Sequence, residues 1–422
     1  MAVNYSWYKL DNAATMIPSS MQGSDTRVFR IACELNEKVD GALLQQALDK
    51  TLEEFPHFNV VLRRGFFWYY LDNTSERAMV TEDRLPACAH LYLPGRKNLL
   101  YRVTYFERRI NLEMFHVLAD GTGGFIFLKK ILKNYLCTKH GIETVTDDDE
   151  SSAEEKNTDA FRKFYSKERS AKQLTGMIFN RAYQIHQVKD GDMQNHLLEA
   201  TISSSEFLSL SHKYGTTAGI LTVALYIEAV MRSMSERDKR KYPIVISVPV
   251  NLRQYFPSET TRNFFGVINI SFHTSEYDGS LESIIAPVKE SFERQLSKEN
   301  IRNTMNSYMA LEQNIGIKMI PLFIKDPGIR FFYNLTKKGV TATMSNMGKI
   351  KLAPELEPYV EQFSGFMSTG NMQITVASFK DKMVLGAVSA YTEHSVLINL
   401  FRRLSELGLS VVLATNDYDR AS

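Results

Sequence analysis

Apolar residues in the first third of the chain alternate with polar ones in some segments and recur at helical spacing in others. The pattern predicts a strand, a helix with Asp40 as its N-cap, two hairpins and a second helix that ends at Gly141. These elements span, in order, residues 27–35, 40–55, 58–72, 98–121 and 121–141. The chain therefore begins as a mixture of strands and helices.

The rest of the chain continues this mixture without a repeat of short fixed period. The pattern predicts a strand, a long buried helix, two neighbouring strands, a helical region, a further strand, a hairpin that turns at Lys380 to Lys382, and a closing helix. They cover, in order, residues 196–202, 216–236, 242–253, 263–274, 281–314, 340–352, 372–392 and 394–408. This order of elements indicates a mixed fold of the α/β (α+β) class.

A polar, acidic segment interrupts the pattern at residues 147–159, where DDDESSAEEKNTD has no apolar periodicity. Such a sequence is typical of an exposed linker or a mobile loop. The chain has 422 residues, of which 44% are hydrophobic, and is long enough to form two cores. We therefore predict an N-terminal lobe at 1–145, a linker at 146–194 and a C-terminal lobe at 195–422.

Charge and cysteine content narrow the classes of partner. The 50 basic and 48 acidic residues are spread along the chain and give a net charge of +2, so neither nucleic acid nor an anionic membrane is indicated. Cys33, Cys88 and Cys137 have no paired spacing, which favours a reducing, cytoplasmic location over a disulfide framework. No uncharged run has the length of a membrane span, so we expect no integral membrane segment.

The main candidate for chemistry is the segment FHVLADGTGG at residues 115–124. His116 ends a strand on its apolar face, Asp120 follows just past the strand, and Gly121 opens a glycine-rich turn into the next helix. With an ordinary pKa of about 6.5, a histidine accepts a proton from a hydroxyl or an amine at neutral pH. The segment therefore favours group transfer with His116 as general base. The alternative is a strand-end histidine that is only satisfied by a main-chain carbonyl.

Other kinds of site fit the sequence poorly. His116 is not part of an H-E-x-x-H pair, and no second histidine or acidic cluster stands at metal-ligand spacing from it, so no metal site is predicted. The chain also lacks the G-x-S-x-G turn of serine hydrolases, a phosphate-binding loop and a dinucleotide fingerprint.

The run H-V-L-A-D-G at residues 116–121 resembles the H-x-x-x-D-G signature of the chloramphenicol-acetyltransferase-like superfamily. That superfamily includes CoA-dependent acyltransferases, alcohol acetyltransferases, plant hydroxycinnamoyl-type acyltransferases and condensation domains of nonribosomal peptide synthetases. Residues 247–272 resemble a segment found in the same order in these proteins, and residues 7–18 and 343–352 are most similar to the bacterial alcohol-acetyltransferase-like branch. Condensation domains usually carry two adjacent histidines, whereas Phe115 precedes the histidine here, which favours a free-standing acyltransferase.

The resemblance implies two lobes with mixed sheets around a central tunnel, with His116 midway along it. It also implies acyl transfer from a thioester to the hydroxyl or amine of a small-molecule acceptor. Acyl-CoA, or another pantetheine thioester, would be a co-substrate, and no cofactor would be bound tightly. Two alternatives stay open: a condensation-type enzyme whose donor is held by an acyl carrier protein, and a non-catalytic member of the fold that binds a ligand or a partner.

The resemblance also assigns supporting residues. Asp120 is expected to point away from the substrate and to pair with Arg253, because a guanidinium can bind a buried carboxylate with two hydrogen bonds. Gly121 belongs to the same structural support. Ser345 and Asn346 have two interpretations: they donate hydrogen bonds to the oxyanion of the tetrahedral intermediate, or they shape a turn beside a bulge.

Two further segments carry apolar or basic residues whose purpose the sequence leaves open. Residues 315–339 mix aromatic, aliphatic and basic residues. This composition suits a cover for a lipophilic acceptor, contact with a membrane surface, or a core helix broken at Pro327. The basic run ERDKRK at residues 236–241 suits either the phosphates of CoA or a solvated helix end.

Overall fold

The computed structural model describes residues 7–145, 151–166 and 181–416 of the chain. The strands are β1 (Trp7–Lys9), β2 (Val28–Leu35), β3 (Val60–Arg64), β4 (Tyr69–Asn73), β5 (Thr81–Glu82), β6 (Tyr101–Phe106), β7 (Arg109–Phe115), β8 (His196–Ser203), β9 (Ile244–Asn251), β10 (Phe265–Phe272), β11 (Ala342–Lys349), β12 (Val360–Met367), β13 (Met372–Phe379), β14 (Lys382–Ser389) and β15 (Val412–Thr415). The α-helices are α1 (Ile17–Ser20), α2 (Gly41–Glu54), α3 (Gly121–His140), α4 (Ala153–Lys156), α5 (Ala160–Phe164), α6 (Ser204–Lys213), α7 (Ala218–Arg232), α8 (Glu236–Lys241), α9 (Glu282–Gln295), α10 (Lys298–Gln313), α11 (Ile315–Lys318), α12 (Leu322–Lys337) and α13 (Ser395–Glu406).

A five-stranded sheet near the N-terminus leads into the candidate histidine. Its order is β12-β2-β7-β6-β5, and all neighbours are antiparallel except β5 and β6. Helices α2 and α3 pack against each other, and α3 contacts β2 and β7. The apolar faces of these elements form one core cluster, which includes Leu48, Leu112 and Phe127.

Strand β12 joins this sheet although it lies near the C-terminal end of the sequence. It runs antiparallel to β2, with Phe363 opposite Cys33 and Gly365 opposite Ile31. Glycine suits position 365, since a Cβ there would lie 2.5 Å from the side chain of Thr375. The sheet of the N-terminal lobe is thus completed by the second half of the chain. The lobe boundaries at 1–145, 146–194 and 195–422 stay predictions.

A seven-stranded mixed sheet forms the centre of a second core. Its order is β10-β9-β11-β13-β14-β8-β15, in which β9, β11 and β13 run parallel and the other neighbours antiparallel. Helix α7, predicted from its long apolar run, is buried from Leu221 to Met231 and contacts α9 and α13. The mixed α/β fold predicted from the sequence is confirmed.

The helices next to the candidate motif begin and end at the predicted caps. Asp40 accepts hydrogen bonds from the N–H groups of Ala42 and Leu43 at the start of α2. Helix α3 ends before Gly141, which adopts the left-handed conformation with φ of 64° that favours glycine at this position. Local capping chemistry therefore fixes where α2 begins and where α3 ends.

The segment predicted to be an exposed acidic linker is partly packed against the C-terminal half. Its first four residues, 147–150, and the later residues 167–180 lie outside the described ranges. The Lys156 side chain is buried, and its main-chain carbonyl accepts a hydrogen bond from the N–H of Thr261 (2.8 Å). The rings of Phe161 and Phe264 lie 5.2 Å apart. Glu154 and Glu155 are exposed as predicted, whereas Lys156 is buried and Phe161, just after the acidic run, packs on the loop before β10.

Helix α12 excludes one interpretation of residues 315–339. The helix runs from Leu322 to Lys337 with Pro327 inside it, and Leu322 is its one buried residue. It is therefore neither broken at the proline nor part of a core.

Within the described ranges, no single helix combines the length and the apolar composition that a membrane crossing requires. Helices α6 and α7 meet that requirement only when they are taken together, and the chain bends by 82° between them.

Candidate active site

His116 directly follows β7 and stands where elements of the two large sheets meet. Its main-chain N–H donates to the carbonyl of Arg27 (2.9 Å), which extends the pairing of β7 with β2. Its imidazole is partly exposed and lies between two aromatic rings, with centroid distances of 5.5 Å to Phe29 and 5.3 Å to Phe265. Because Phe265 begins β10, the imidazole contacts residues from both sheets.

Asn263, which the sequence analysis missed, holds the imidazole in one state. Its Oδ1 lies 2.8 Å from Nδ1 of His116. Its amide nitrogen donates to the main-chain carbonyl of His116 (2.9 Å) and to Oδ2 of Asp11 (3.1 Å), so Oδ1 is the atom that faces the ring. An amide oxygen can only accept, and Nδ1 therefore carries the proton in the neutral ring. The lone pair of Nε2 is left free to accept a proton.

Asp11 fixes Asn263 in turn. The buried Asp11 carboxylate also accepts hydrogen bonds from the main-chain N–H groups of Asn263 (3.3 Å) and Ala14 (2.8 Å). Burial raises the pKa of Asp11 to about 6, although the nearby guanidinium of Arg262 opposes the shift. The opening segment of the chain thus braces the imidazole through Asn263.

Burial lowers the pKa of His116 below its ordinary value of 6.5. The carboxylate of Asp120 and the hydrogen bond to Asn263 oppose only part of this shift, and the positive charge of Arg27 adds to it. Protonation is disfavoured because it would place a charge in poorly solvated surroundings. The ring is therefore neutral at pH 7, which is the form that a general base needs.

Asp120 and Arg253, which the sequence predicts as partners, form a buried ion pair. Nη1 of Arg253 lies 2.8 Å from Oδ2 of Asp120, and Nη2 lies 3.3 Å from Oδ1. The carboxylate also accepts from the N–H of Gly123 (2.9 Å) and of Phe264 (2.8 Å). The guanidinium donates to the main-chain carbonyls of Thr260 and Arg262 as well. The pair therefore ties the start of α3 to the loop between β9 and β10.

The glycines of the motif differ in how closely other atoms approach them. A Cβ at Gly123 would lie 1.8 Å from the carbonyl oxygen of Thr261, and one at Gly124 would lie 2.7 Å from the ring of Phe29. A Cβ at Gly121 would meet no atom within 4 Å among the described residues. Close approach of the backbone thus requires glycine at 123 and 124. Such an approach is absent at Gly121 among the described residues, and the structural support expected of Gly121 stays a prediction.

Ser345 and Asn346 lie on β11 beside a bulge. Ser345 is opposite Thr375 on β13, and Oδ1 of Asn346 accepts a hydrogen bond from the N–H of Gly348 (2.8 Å), whose φ is 72°. Within the described ranges, neither side chain makes a hydrogen bond to His116. This geometry favours the turn-shaping interpretation for Asn346, and the oxyanion role of both residues stays a prediction.

The basic run at 236–241 forms α8, which has no buried residue. Together with His273, it lines a surface cavity of about 450 Å³. Strand β10 leads from Phe265, beside the candidate histidine, to Phe272 next to this cavity. Seven residue steps along a strand span roughly 23 Å. The run thus lies about one strand length from His116, and its exposure favours the solvated-helix interpretation.

In the part of the chain that the structure describes, no group of three or more His, Cys, Asp or Glu side chains is placed to hold a metal ion.

No local pattern in the sequence points to Asn263. It stands between an arginine and two phenylalanines just before β10, where a lone amide is an ordinary loop residue. Its contact with His116 joins two positions far apart in the sequence, which only the fold brings together. The one available signal was its place inside the segment 247–272 that resembles other acyltransferases.

The sequence matches no family model and no curated protein. Solved structures share its architecture. One is TRI3 trichothecene 15-O-acetyltransferase from Fusarium sporotrichioides, at 10% identity and a TM-score of 0.63, with 94% of this chain and 93% of that chain covered. TRI101 of F. graminearum, crystallised with coenzyme A and T-2 mycotoxin, is 12% identical with a TM-score of 0.62, covering 95% and 97% of the two chains. The first condensation domain of the calcium-dependent antibiotic synthetase is 13% identical with a TM-score of 0.60, covering 95% and 96%.

The chain thus has the two-lobed fold of the chloramphenicol-acetyltransferase-like proteins, and the resemblance predicted from the H-x-x-x-D-G motif is confirmed at the level of the fold. Its structural neighbours include acetyltransferases, one of them crystallised with coenzyme A and with ethyl coenzyme A, and condensation domains. At these identities the likeness establishes the fold alone.

Proposed function

We propose that this protein is an acyltransferase that moves an acyl group from acyl-CoA to the hydroxyl or amine of a small-molecule acceptor, with His116 as general base. The observation that carries the proposal is the state of the imidazole. Its Nδ1 is held by Asn263 and its pKa is lowered by burial, which leaves Nε2 unprotonated at neutral pH. An unprotonated nitrogen in a partly exposed site is what proton abstraction from an acceptor requires.

The reaction follows from that state in two steps. As the acceptor oxygen or nitrogen attacks the thioester carbonyl, its proton passes to Nε2 of His116 and a tetrahedral oxyanion forms. The oxyanion then collapses, the carbon–sulfur bond breaks, and the imidazolium returns the proton to the departing thiolate. The products are the ester or amide and free CoA, and no acyl-enzyme is formed. Ser345 and Asn346 are the residues proposed to donate hydrogen bonds to the oxyanion.

Asp120 and Arg253 act at a distance from the reacting atoms. Both oxygens of Asp120 are occupied by Arg253 and by main-chain N–H groups, so the carboxylate is unavailable to a substrate. The pair holds the turn that connects the histidine to α3, and it also holds the loop that carries Asn263. Its role in the reaction is therefore to position the general base.

Coenzyme A is the donor that we favour over a carrier-bound thioester. Its use by this chain is supported by neighbours crystallised with coenzyme A and by Phe115, which stands where condensation domains usually have a first histidine. A cytoplasmic location, where acyl-CoA is made and thiols stay reduced, agrees with the three free cysteines.

The decisive experiment is a thiol-release screen of acyl-CoA donors against pooled alcohols and amines, with product masses determined afterwards. For the active pair, we expect His116→Ala to lower kcat by about 10²- to 10⁴-fold, the usual contribution of general-base catalysis, with little change in donor binding. His90→Ala, which alters an exposed histidine, is the matched control and should keep the parental rate. Because burial lowers the pKa of His116, the parental rate should persist below pH 6.5 and fall only at more acidic pH.

Two results would contradict the proposal. The first is acceptor-dependent thiol release by His116→Ala at the parental rate. The second is activity only with an acyl-loaded carrier protein, which would indicate a condensation-type enzyme. Asn263→Ala provides a check on the tautomer argument, since a mispositioned base typically costs roughly 10²-fold in kcat with little effect on donor binding.

A further inference from the structure

An apolar surface outside the candidate site lies where α12 meets the turn between β3 and β4. We call it the aromatic patch and define it by Phe66, Phe67, Trp68, Phe323, Ile324 and Phe331. Four of its rings form a continuous row, with centroid distances of 6.1 Å from Phe323 to Phe66, 4.8 Å from Phe66 to Phe67 and 6.0 Å from Phe67 to Trp68. Phe323, Ile324 and Phe331 share one face of α12 by helical spacing.

The patch is exposed to a degree that large apolar side chains rarely reach in clusters. The exposed fractions are 64% for Phe66, 51% for Trp68, 61% for Phe323, 56% for Ile324 and 62% for Phe331. Single exposed apolar residues are ordinary on protein surfaces, whereas contiguous ones mark an interaction surface. Helix α12 has one buried residue, so its apolar side chains are not held in place by a core.

Polar contacts hold the two halves of the patch together. The N–H of Leu322 donates to the carbonyl of Phe66 (2.8 Å), and Nζ of Lys325 donates to the carbonyl of Phe67 (2.9 Å). The carboxylate of Asp326 accepts hydrogen bonds from β3, from β4 and from α1, through Arg64, Tyr69 and Ser19. The patch is therefore a fixed surface and is not produced by a loose turn.

The charges around the patch are positive. Residues 315–338 contain one acidic residue, Asp326, and it is turned towards Arg64 in an ion pair. The same residues contain five basic ones, of which Lys318, Arg330 and Lys338 are exposed. The net charge of +2 for the whole chain, which gives no indication of a membrane partner, conceals this local excess.

Both tryptophans belong to the three-stranded sheet β1-β4-β3 or to the turn between β3 and β4. The chain has two tryptophans, Trp68 in the patch and Trp7 on β1, which pairs with β4 directly after Trp68. Both are about half exposed. An indole ring has an apolar body and a polar N–H, which suits the boundary between water and lipid.

We propose that the aromatic patch docks the protein on the surface of an anionic lipid bilayer, with the turn between β3 and β4 and the outer face of α12 in the headgroup region. Exposed aromatic rings enter the boundary of the acyl chains, and Lys318, Arg330 and Lys338 face the anionic headgroups. The protein then lies on the membrane without crossing it. This inference is independent of the proposed acyltransferase activity, because it concerns where the chain is held.

The shape of the patch favours a bilayer over a protein partner. A hairpin turn and a helix face project outwards, and a deformable lipid surface accommodates a projecting ridge without a complementary groove. Residues 315–338 carry exposed cations and no exposed acidic residue, which matches a surface of uniform negative charge. A second copy of this chain would bring the same cations against each other, which is unfavourable.

Trp68 belongs to the patch and is a fluorescent probe for the experiment, and Trp7 lies on the strand that pairs with β4. The full-length protein is titrated with vesicles of phosphatidylcholine and with vesicles that also contain phosphatidylglycerol. We expect a blue shift of tryptophan emission and co-sedimentation with the anionic vesicles, both weakened by salt, and quenching by lipids brominated on the acyl chains. Zwitterionic vesicles should bind more weakly.

Matched variants assign the binding to the patch. Phe66→Ser/Phe323→Ser/Phe331→Ser removes three exposed rings and should weaken binding by more than about tenfold, given the usual contribution of apolar burial. Met79→Ser/Leu85→Ser/Phe106→Ser removes three equally exposed apolar side chains elsewhere and should leave binding unchanged. Arg330→Glu/Lys338→Glu should weaken binding to anionic vesicles by at least about tenfold. Circular dichroism establishes that each variant is folded.

Three results would overturn the proposal. The first is an absence of blue shift and co-sedimentation with anionic vesicles at low salt. The second is an equal loss of binding in the patch variant and in the control variant. The third is a change of oligomeric state, measured by analytical ultracentrifugation without lipid, that depends on the patch residues. That last result would assign the patch to self-association.

Discussion

The buried pair of Asp120 and Arg253 gives a sharp stability prediction through the substitution Asp120→Asn. Four N–H donors converge on the parental carboxylate, two of them from the guanidinium and two from the main chain. Asparagine has an NH₂ group, which is a donor, in place of one of the two acceptor oxygens of the aspartate. Whichever way the amide is oriented, its NH₂ group faces at least two of these N–H groups, and the negative charge opposite the guanidinium is lost.

The magnitude follows from what remains around Arg253. Removal of one partner from a buried ion pair typically costs about 3 to 5 kcal/mol. Here the guanidinium keeps the main-chain carbonyls of Thr260 and Arg262 as acceptors, which limits the loss. We therefore expect Asp120→Asn to lower the free energy of unfolding by about 3 kcal/mol, near the lower end of that range.

Urea denaturation, followed by circular dichroism and by tryptophan emission, measures this change. Asp49→Asn is the matched control, because Asp49 also binds a guanidinium with two contacts, to Arg77, but the pair lies on the surface. The control should show no measurable change. If Asp120→Asn does not fold, Arg253→Lys keeps the charge, loses the forked geometry and should be less stable than the parent. A stability of Asp120→Asn within about 1 kcal/mol of the parent would refute the structural role of the pair.

Two further predictions concern the surroundings of the motif. Gly123→Ala places a Cβ against the carbonyl of Thr261 and should lower the free energy of unfolding, measured by thermal denaturation, by about 1 to 3 kcal/mol. The control Gly121→Ala places its Cβ where no described atom lies within 4 Å and should leave stability unchanged. Equal effects of the two substitutions would contradict the close approach at Gly123. His57 is buried, its pKa is lowered to about 3 mainly by burial, and the folded state therefore binds its proton less readily than the unfolded state. The contribution of His57 to stability should fall by roughly 1.4 kcal/mol per pH unit from pH 6.5 towards pH 3. It is measured as the difference between the parent and His57→Gln, because Asp11, whose pKa is raised, contributes the opposite slope to both proteins. Equal slopes in the two proteins would show that His57 does not contribute.

The sequence predicted the elements around the motif because local rules determine them. Alternation predicted β2 and β7, and capping residues such as Asp40 and Gly141 predicted where α2 begins and α3 ends. The ion pair of Asp120 with Arg253 was predicted from the family resemblance. No local rule could have predicted it, since the two residues lie 133 positions apart in the sequence.

Elements that depend on distant contacts were missed. Strand β12 has no alternation because it is buried over most of its length, so residues 360–367 carried no recognisable strand pattern. Asn263 and Asp11 reach His116 only after the strands have been assembled. Segment 147–159 was predicted to be exposed from its charge, whereas apolar residues that follow it anchor part of it. Composition cannot reveal such anchoring, because it depends on which surface lies opposite.

The late arrival of β12 has a consequence for how the protein is made. While the ribosome is still translating the second half of the chain, β2 has β7 on one side and an open edge on the other. An open edge is a template for pairing with other chains. The five-stranded sheet therefore cannot be completed when its first four strands have been translated. The edge of β2 stays unpaired until residues 360–367 leave the exit tunnel. A chain released before that point would expose an aggregation-prone strand edge.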